Sequence, residues 1–323
     1  MQIELIKKII LILMICLTKI GFSQQMPSDD EKIPYLCTLG KNADKTYGDD
    51  DKVQIIFFSI PENSKESFYI RIFDPVISSK NDEIRGGENT KMRFSIYGGK
   101  GAHSDPDAKK CDPVGNYKSG ILLGSHTFSN EIKYQDNWYT FGPFNATEGE
   151  AQPNVGGNIL KLIVEGIDGD DGNLYKLFLS SKGDNNINVE GGNSFCYEYT
   201  FRLIQKQAAV SHIYPFVPVG VISVLVNVFD YDNEGIIRAV TVAKKSDIKE
   251  SNSEGTWTQL KFLISKEEIN TSIDLQFINK KNVKNNNVTV YITNQFGELL
   301  PFYSTPIGGV PKYKYKIGVK QKE

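Results

Sequence analysis

Apolar and polar residues alternate along much of the chain. Ser67-Phe-Tyr-Ile-Arg-Ile-Phe73 places Phe68, Ile70 and Ile72 on one side of an extended segment and Tyr69, Arg71 and Phe73 on the other. A period of two marks a strand with one face in a core. Met92-Arg-Phe-Ser-Ile-Tyr97 repeats it, and Val53-Gln-Ile-Ile-Phe-Phe-Ser-Ile60 is a β-branched and aromatic run. Further strands are predicted over 120–128, 138–144, 159–165, 174–179 and 195–203. Turn-forming clusters such as Arg85-Gly-Gly-Glu, Gly98-Gly-Lys-Gly and Gly191-Gly-Asn separate them.

Pro215 and Pro218 interrupt the rhythm, and a second series follows over 221–229, 236–243, 256–264, 272–277 and 288–293. A last alternating stretch, Lys312-Tyr-Lys-Tyr-Lys-Ile317, sets its lysines on one face, as an edge strand resisting unwanted pairing does. Ser265-Lys-Glu-Glu-Ile-Asn supplies one helical turn at most, behind a cap-like serine. Short strands at regular spacing with turn signals between them describe an all-β protein of two tandem β-sandwiches, jelly-roll or immunoglobulin-like. The expected boundaries are a loosely ordered polar lead-in over 24–52, a first sandwich over 53–203, a linker over 204–220 and a second sandwich over 221–323.

The first 23 residues differ in kind. Lys7 and Lys8 precede the apolar run Ile9 to Leu17, and Gly21 and Ser23 stand at −3 and −1 of a cut before Gln24. This is the form of a secretory signal peptide. The run is far shorter than the ~20 residues that span a bilayer, and Lys19 interrupts it. Ile15 before Cys16 is too large for a lipoprotein cleavage site. The expected location is therefore outside the cytoplasm: periplasmic, outer-membrane-associated or extracellular, with no transmembrane span.

Export changes how the cysteines read. Cys16 leaves with the signal, and Cys37, Cys111 and Cys196 remain, enough for one internal disulfide. Cys196 sits in a strand-like run and reads as a core residue. Cys37 and Cys111, in polar surroundings, are the pair for any bridge.

Composition narrows the partners. The 323 residues carry 37 Lys+Arg against 39 Asp+Glu, a net charge of −2. No basic excess exists to release counterions, so nucleic acid is not expected as a partner. Four Cys and 3 His leave little material for zinc or thiol chemistry.

Two acidic turns stand out. Asp230-Tyr-Asp-Asn-Glu-Gly235 follows a strand and sets carboxylates at positions 1, 3 and 5 with glycine at 6, the first half of a calcium loop. It departs from an EF-hand, whose twelfth position would be Thr241. It resembles instead the D-x-D-x-[DE]-G loops between strands of exported proteins. Asp168-Gly-Asp-Asp-Gly-Asn173 crowds three carboxylates and an amide onto another turn, where a cation would relieve their repulsion. The candidate calcium ligands are thus Asp168, Asp170, Asp171 and Asn173, and Asp230, Asp232 and Glu234. A third group, Asp105, Asp107 and Asp112, is neutralised locally by Lys109 and Lys110.

Asp136-Asn-Trp-Tyr-Thr-Phe-Gly-Pro-Phe144 offers an aromatic platform, with Trp138 and Tyr139 as candidates to stack on a sugar or anchor a protein. Catalytic signatures are missing: no G-x-S-x-G elbow, H-E-x-x-H, P-loop or Rossmann glycine pattern occurs. The expected function is a non-catalytic binding or structural module at the cell envelope or surface, meeting a glycan or a protein partner, with calcium as a possible cofactor. The alternative is an exported hydrolase of polysaccharide or protein using an unrecognised carboxylate pair. In strand-turn rhythm, Val288 to Leu300 and the lysine-rich stretch after it resemble the C-terminal sorting domains of the type IX secretion system. Pro306-Ile-Gly-Gly-Val-Pro311 departs from their final pattern.

Overall fold

The computed structural model describes residues 24–77, 80–87, 89–231, 235–244 and 255–308, with the backbone of Asp247–Glu250. The expected signal peptide, Asp232 and Glu234, and the alternating stretch at 312–317 lie outside the described residues. Within them the protein is all-β. Its helical elements are 3-10 turns of three or four residues, and none is long and apolar enough to cross a membrane.

Three antiparallel sheets dominate. The longest runs, in spatial order, through Trp257–Leu263, Ser223–Phe229, Asn287–Asn294, Glu198–Arg202, Tyr35–Leu39, Gly172–Ser180, Phe68–Phe73 and Trp138–Phe144. A second orders Phe302–Tyr303, Asn193–Cys196, Val53–Ile60, Gly157–Asp168, Lys91–Gly98 and Ile121–Phe128. A third orders Val210–Ile213, Asp274–Asn279, Gly235–Val240 and Asp247–Glu250.

The alternation decides which faces meet. Phe68, Ile70 and Ile72 from the long sheet, Phe94, Ile96 and Leu162 from the second, and Ile237, Leu275 and Phe277 from the third belong to one buried cluster. Burial of this apolar surface is the main favourable term of the fold. Val53–Ile60 is buried on both faces. Ile56, Phe58 and Ile60 point into the main core, while Ile55 and Phe57 join Ile159, Ile163, Phe195 and Tyr197 in a second cluster on the outer side.

Three expectations change. Residues 24–52 are not a loose lead-in. Tyr35–Leu39 pairs with both Gly172–Ser180 and Glu198–Arg202 in the middle of the long sheet. It is a short run, apolar apart from Thr38, between Ile33-Pro34 and Gly40-Lys41, and the segment after it packs back on the strand, where Ala43 and Tyr47 join Cys37 and Leu39 in a small cluster.

The run expected as one strand over 195–203 is two. Asn193–Cys196 pairs with Val53–Ile60 in the second sheet, and Glu198–Arg202 pairs with Asn287–Asn294 in the long one. The chain changes sheets at Tyr197, and a hydropathy pattern carries no mark of which partner an extended segment takes. The long sheet also crosses the expected linker. Glu198–Arg202 precedes it and Asn287–Asn294 follows it, yet they are hydrogen-bonded neighbours. The linker itself contributes Val210–Ile213 and Phe216–Val217, paired with Asp274–Asn279 and Thr271–Ser272. Pro215 and Pro218 fall just outside these short strands, where no ladder N–H is required.

All three cysteines in the described residues carry free thiols. Cys37 lies in a strand rather than a loop, and burial raises its thiol to about 12. Cys196 is a core residue, as expected.

Candidate functional site

The loop at 168–173 carries the chain from Gly157–Asp168 in the second sheet to Gly172–Ser180 in the long one and is packed rather than open. Asp171 is fully buried. One carboxylate oxygen accepts from the Arg85 backbone N–H at 2.6 Å and the other from the Thr90 hydroxyl at 2.8 Å. Its own N–H donates to Thr90 Oγ1 at 2.9 Å. Gly169 has φ +74°, and a Cβ there would meet Thr90 Oγ1 at 2.1 Å, so only glycine fits. Asn173 is buried and donates to the Pro75 carbonyl at 3.2 Å. Asp168 turns the other way, to an exposed ion pair with Lys91 at 3.3 Å. Gly169's backbone N–H and Lys91 hold its carboxyl below the usual range. Asp170 is half-buried. Asp168, Asp171 and Asn173 therefore turn to different partners.

In the second turn, Asp230 is buried with φ +62° and accepts from the Gly255 N–H at 2.6 Å. Gly235 is fixed by contact, since a Cβ would strike the Tyr231 hydroxyl at 1.8 Å. In the third group, Asp105 and Asp107 hold Asn116 through bonds of 2.8 Å, and Asp107 pairs with Lys110 at 2.5 Å.

The structure gathers carboxylates at a place the sequence reading passed over. Residues 49–52 form a tight turn before Val53–Ile60, with Lys52 at φ +60°. Asp49 is buried and serves the turn, accepting from Lys52 N at 2.9 Å, Asp51 N at 3.2 Å and Leu39 N at 3.4 Å. Asp50 accepts from the Trp257 indole at 2.8 Å. Asp51 uses one oxygen to accept from Val53 N at 2.8 Å, and its carboxyl is hydrogen-bonded to that of Asp49.

Glu198 is the first residue after the chain changes sheets, and its Oε1 is buried and unpartnered. Asp51 and Glu198 line the same cavity of about 10 Å³, with Val53, Ile55, Phe57 and Tyr197 as apolar and aromatic wall and Lys109, Lys110 and Pro113 at its side. Burial, with Asp49 beside it, pushes the Asp51 carboxyl well above its ordinary range. Burial, with Asp51 beside it, does the same to Glu198. The Asp49-Asp-Asp51 run was a visible signal; nothing in the sequence joined it to Glu198.

The aromatic candidates separate. Trp138, on the edge strand Trp138–Phe144, lies on the outer face with Phe73 at 5.4 Å and the Arg71 guanidinium 4.9 Å from its ring centre. Arg71 in turn donates to Thr140 at 3.3 Å and to Asn186. Tyr139 points inward, among Phe128, Tyr134 and Phe141, so the two do not share a platform.

The histidines are each paired. His103 meets the Tyr197 hydroxyl at 3.0 Å, and burial lowers it to about 4. His126 meets Glu131 at 3.1 Å and His212 meets Asp274 at 2.8 Å. Among the described residues no three His, Cys, Asp or Glu side chains form a set able to hold a metal ion between them. No protein-family model matches the chain, and no curated protein matches its sequence.

Proposed function

We propose that the protein is an exported, non-catalytic binding module of the cell envelope or surface, made of two sandwiches sharing the long sheet, which takes a glycan on the outer face around Trp138. The observation that carries this reading is the partly exposed indole set beside Phe73, Arg71, Thr140 and Asn186. An aromatic face flanked by hydrogen-bonding groups suits a sugar, whose rings offer apolar C–H faces and hydroxyl edges. The hydrolase alternative requires two carboxylates facing each other across a cleft about 5–10 Å apart. Asp51 and Glu198 share a cavity of about 10 Å³, which accepts a water-sized occupant rather than a sugar or a peptide.

The test is binding of the mature chain to immobilised envelope and capsule polysaccharides. Trp138→Ala is expected to weaken binding by about tenfold or more, with the circular dichroism spectrum unchanged. Trp257→Phe, on a different part of the long sheet, is expected to bind as the parent does. Equal binding by Trp138→Ala and the parent overturns the reading, as does a panel in which no polysaccharide is retained.

A further inference from the structure

Trp138 stands at one end of a row of side chains. On the outer face of the long sheet Trp138 pairs with Phe73, and Phe73 pairs with Lys176. The Lys176 ammonium lies 5.0 Å from the centre of the Tyr35 ring on the next strand, and Tyr35 pairs with Arg202. Trp138, Phe73, Lys176, Tyr35 and Arg202 thus line up across five adjacent strands, each of them half-buried. At about 4.8 Å per strand the row is roughly 19 Å long. Trp138 is on the edge strand, so the row runs to the side of the sheet there.

The other end of the row enters a cavity of about 560 Å³, lined by Tyr35, Asn81, Asp82, Arg202, Gln205 and Lys284 among others. That volume is in the range of small-ligand sites. Its walls are fixed. Arg202 donates to Asn287 at 2.7 Å, to Asn285 at 3.3 Å and to Glu83. Asp82 accepts from the Leu174 N–H at 2.9 Å. Asn81 donates to Asp136 at 3.2 Å, which ties the cavity wall to the turn that carries Trp138. Gln205 and Lys284 are exposed. The aromatic rings of the row suit the C–H faces of sugar rings, and the amide, carboxylate and ammonium groups suit their hydroxyls. A row of this length is longer than one sugar.

We propose that the row and the cavity at its end bind a single linear polysaccharide, laid across the strands from Trp138 to Lys284 over a tetrasaccharide or longer. This rests on the glycan reading of Trp138 and names its substrate class, an extended chain rather than one terminal sugar. Because the rings and polar groups are already in place, each added sugar gains contacts without ordering the protein, so affinity grows with chain length.

Calorimetric titration of the mature chain with disaccharides, tetrasaccharides and hexasaccharides of cellulose, xylan, chitin and alginate provides the test. For the sugar that binds, affinity is expected to rise about tenfold or more from disaccharide to hexasaccharide. Tyr35→Leu and Lys284→Ala, at the end away from Trp138, should each lower hexasaccharide affinity by about fivefold or more and flatten the dependence on length. Circular dichroism checks that both fold, and Lys284 is exposed, so its truncation leaves the core untouched. Equal affinity for disaccharide and hexasaccharide overturns the proposal and leaves the glycan reading standing. So does hexasaccharide binding that neither Tyr35→Leu nor Lys284→Ala weakens. Hexasaccharide binding lost in Tyr35→Leu but intact in Trp138→Ala overturns the reading of Trp138 and the row with it. A panel in which no oligosaccharide binds overturns both.

Discussion

In the loop at 168–173, three carboxylates stand within four positions of one another, and in the folded chain they part company. Asp171 goes inward to Arg85 and Thr90, while Asp168 goes outward to Lys91. Asp51 and Glu198 begin far apart in the chain and end lining one small cavity, where burial and neighbouring acids push both carboxyls well above their ordinary range. The first is a turn whose acids have become structural hydrogen-bond acceptors. The second is a place where the fold brings acids together and burial holds them toward the protonated form. Density of acid along a sequence measures repulsion in the unfolded chain. Affinity for an ion depends instead on where the strands carry each carboxylate and on how many donors are already there.

The largest expected effect tests the first half of this contrast. Asp171→Ala removes a fully buried acceptor from the Arg85 N–H and the Thr90 hydroxyl. One buried and one part-buried donor left without a partner, at ~1–3 kcal/mol each, predict a loss of about 2–5 kcal/mol. The fall should appear in urea unfolding and be the same in EDTA and in calcium. A loss that calcium reverses would mean that the loop holds an ion after all.

Much of the fold was legible because alternation is a local property. Phe68, Ile70 and Ile72 face the core as their spacing predicts, and Trp138–Phe144 is a strand over the expected residues. The single turn behind Ser265 exists, closed by Glu268 reaching back to the Ser265 N–H at 2.5 Å. What could not be read is partnership. Tyr35–Leu39 is short and closed off by Pro34 and Gly40, and it is a central strand only because Gly172–Ser180 and Glu198–Arg202 lie on either side of it. The change of sheet at Tyr197 leaves no trace in an apolar run. The site suffered for the same reason. Asp49-Asp-Asp51 lay inside the expected loose lead-in, and nothing local to it announced that Asp51 would line a cavity with Glu198.

Glu31 offers an intermediate case that sharpens the contrast. It is fully buried, accepts from the Ser28 N–H at 2.6 Å and the Tyr199 hydroxyl at 3.2 Å, and keeps its other oxygen without a partner. Burial raises its pKa to about 8. Above its unfolded value of about 4.5 and below the folded one, the native state holds a proton that the unfolded state has lost. Its contribution to stability therefore falls as pH rises through that window. Glu31→Gln keeps the neutral shape and removes the titration. It is expected to gain about 1–3 kcal/mol over the parent at pH about 8 and little at pH about 5. Melts at the two pH values check this. A variant that follows the parent's pH dependence would show that Glu31 is ionised without penalty, and that burial alone does not separate the two classes of acid.

The smallest effect is expected at Asp168, and it decides between the two regions directly. The side chains of Asp168 and Lys91 are each about half exposed, 53% and 51%, with their charged atoms 3.3 Å apart. A pair of this kind is screened by water and salt and gives up side-chain entropy to stay together. The oxygen that accepts from the Gly169 N–H at 3.0 Å is kept in the amide, so Asp168→Asn preserves the local turn. Its midpoint in EDTA should match the parent's within measurement error. Its response to calcium should match the parent's as well, because Lys91 already answers the Asp168 carboxylate. If the parent responds to calcium and Asp168→Asn does not, the ion sits on the turn. The turn would then be the region whose acids the fold leaves free to bind, and the contrast between the two regions would be inverted.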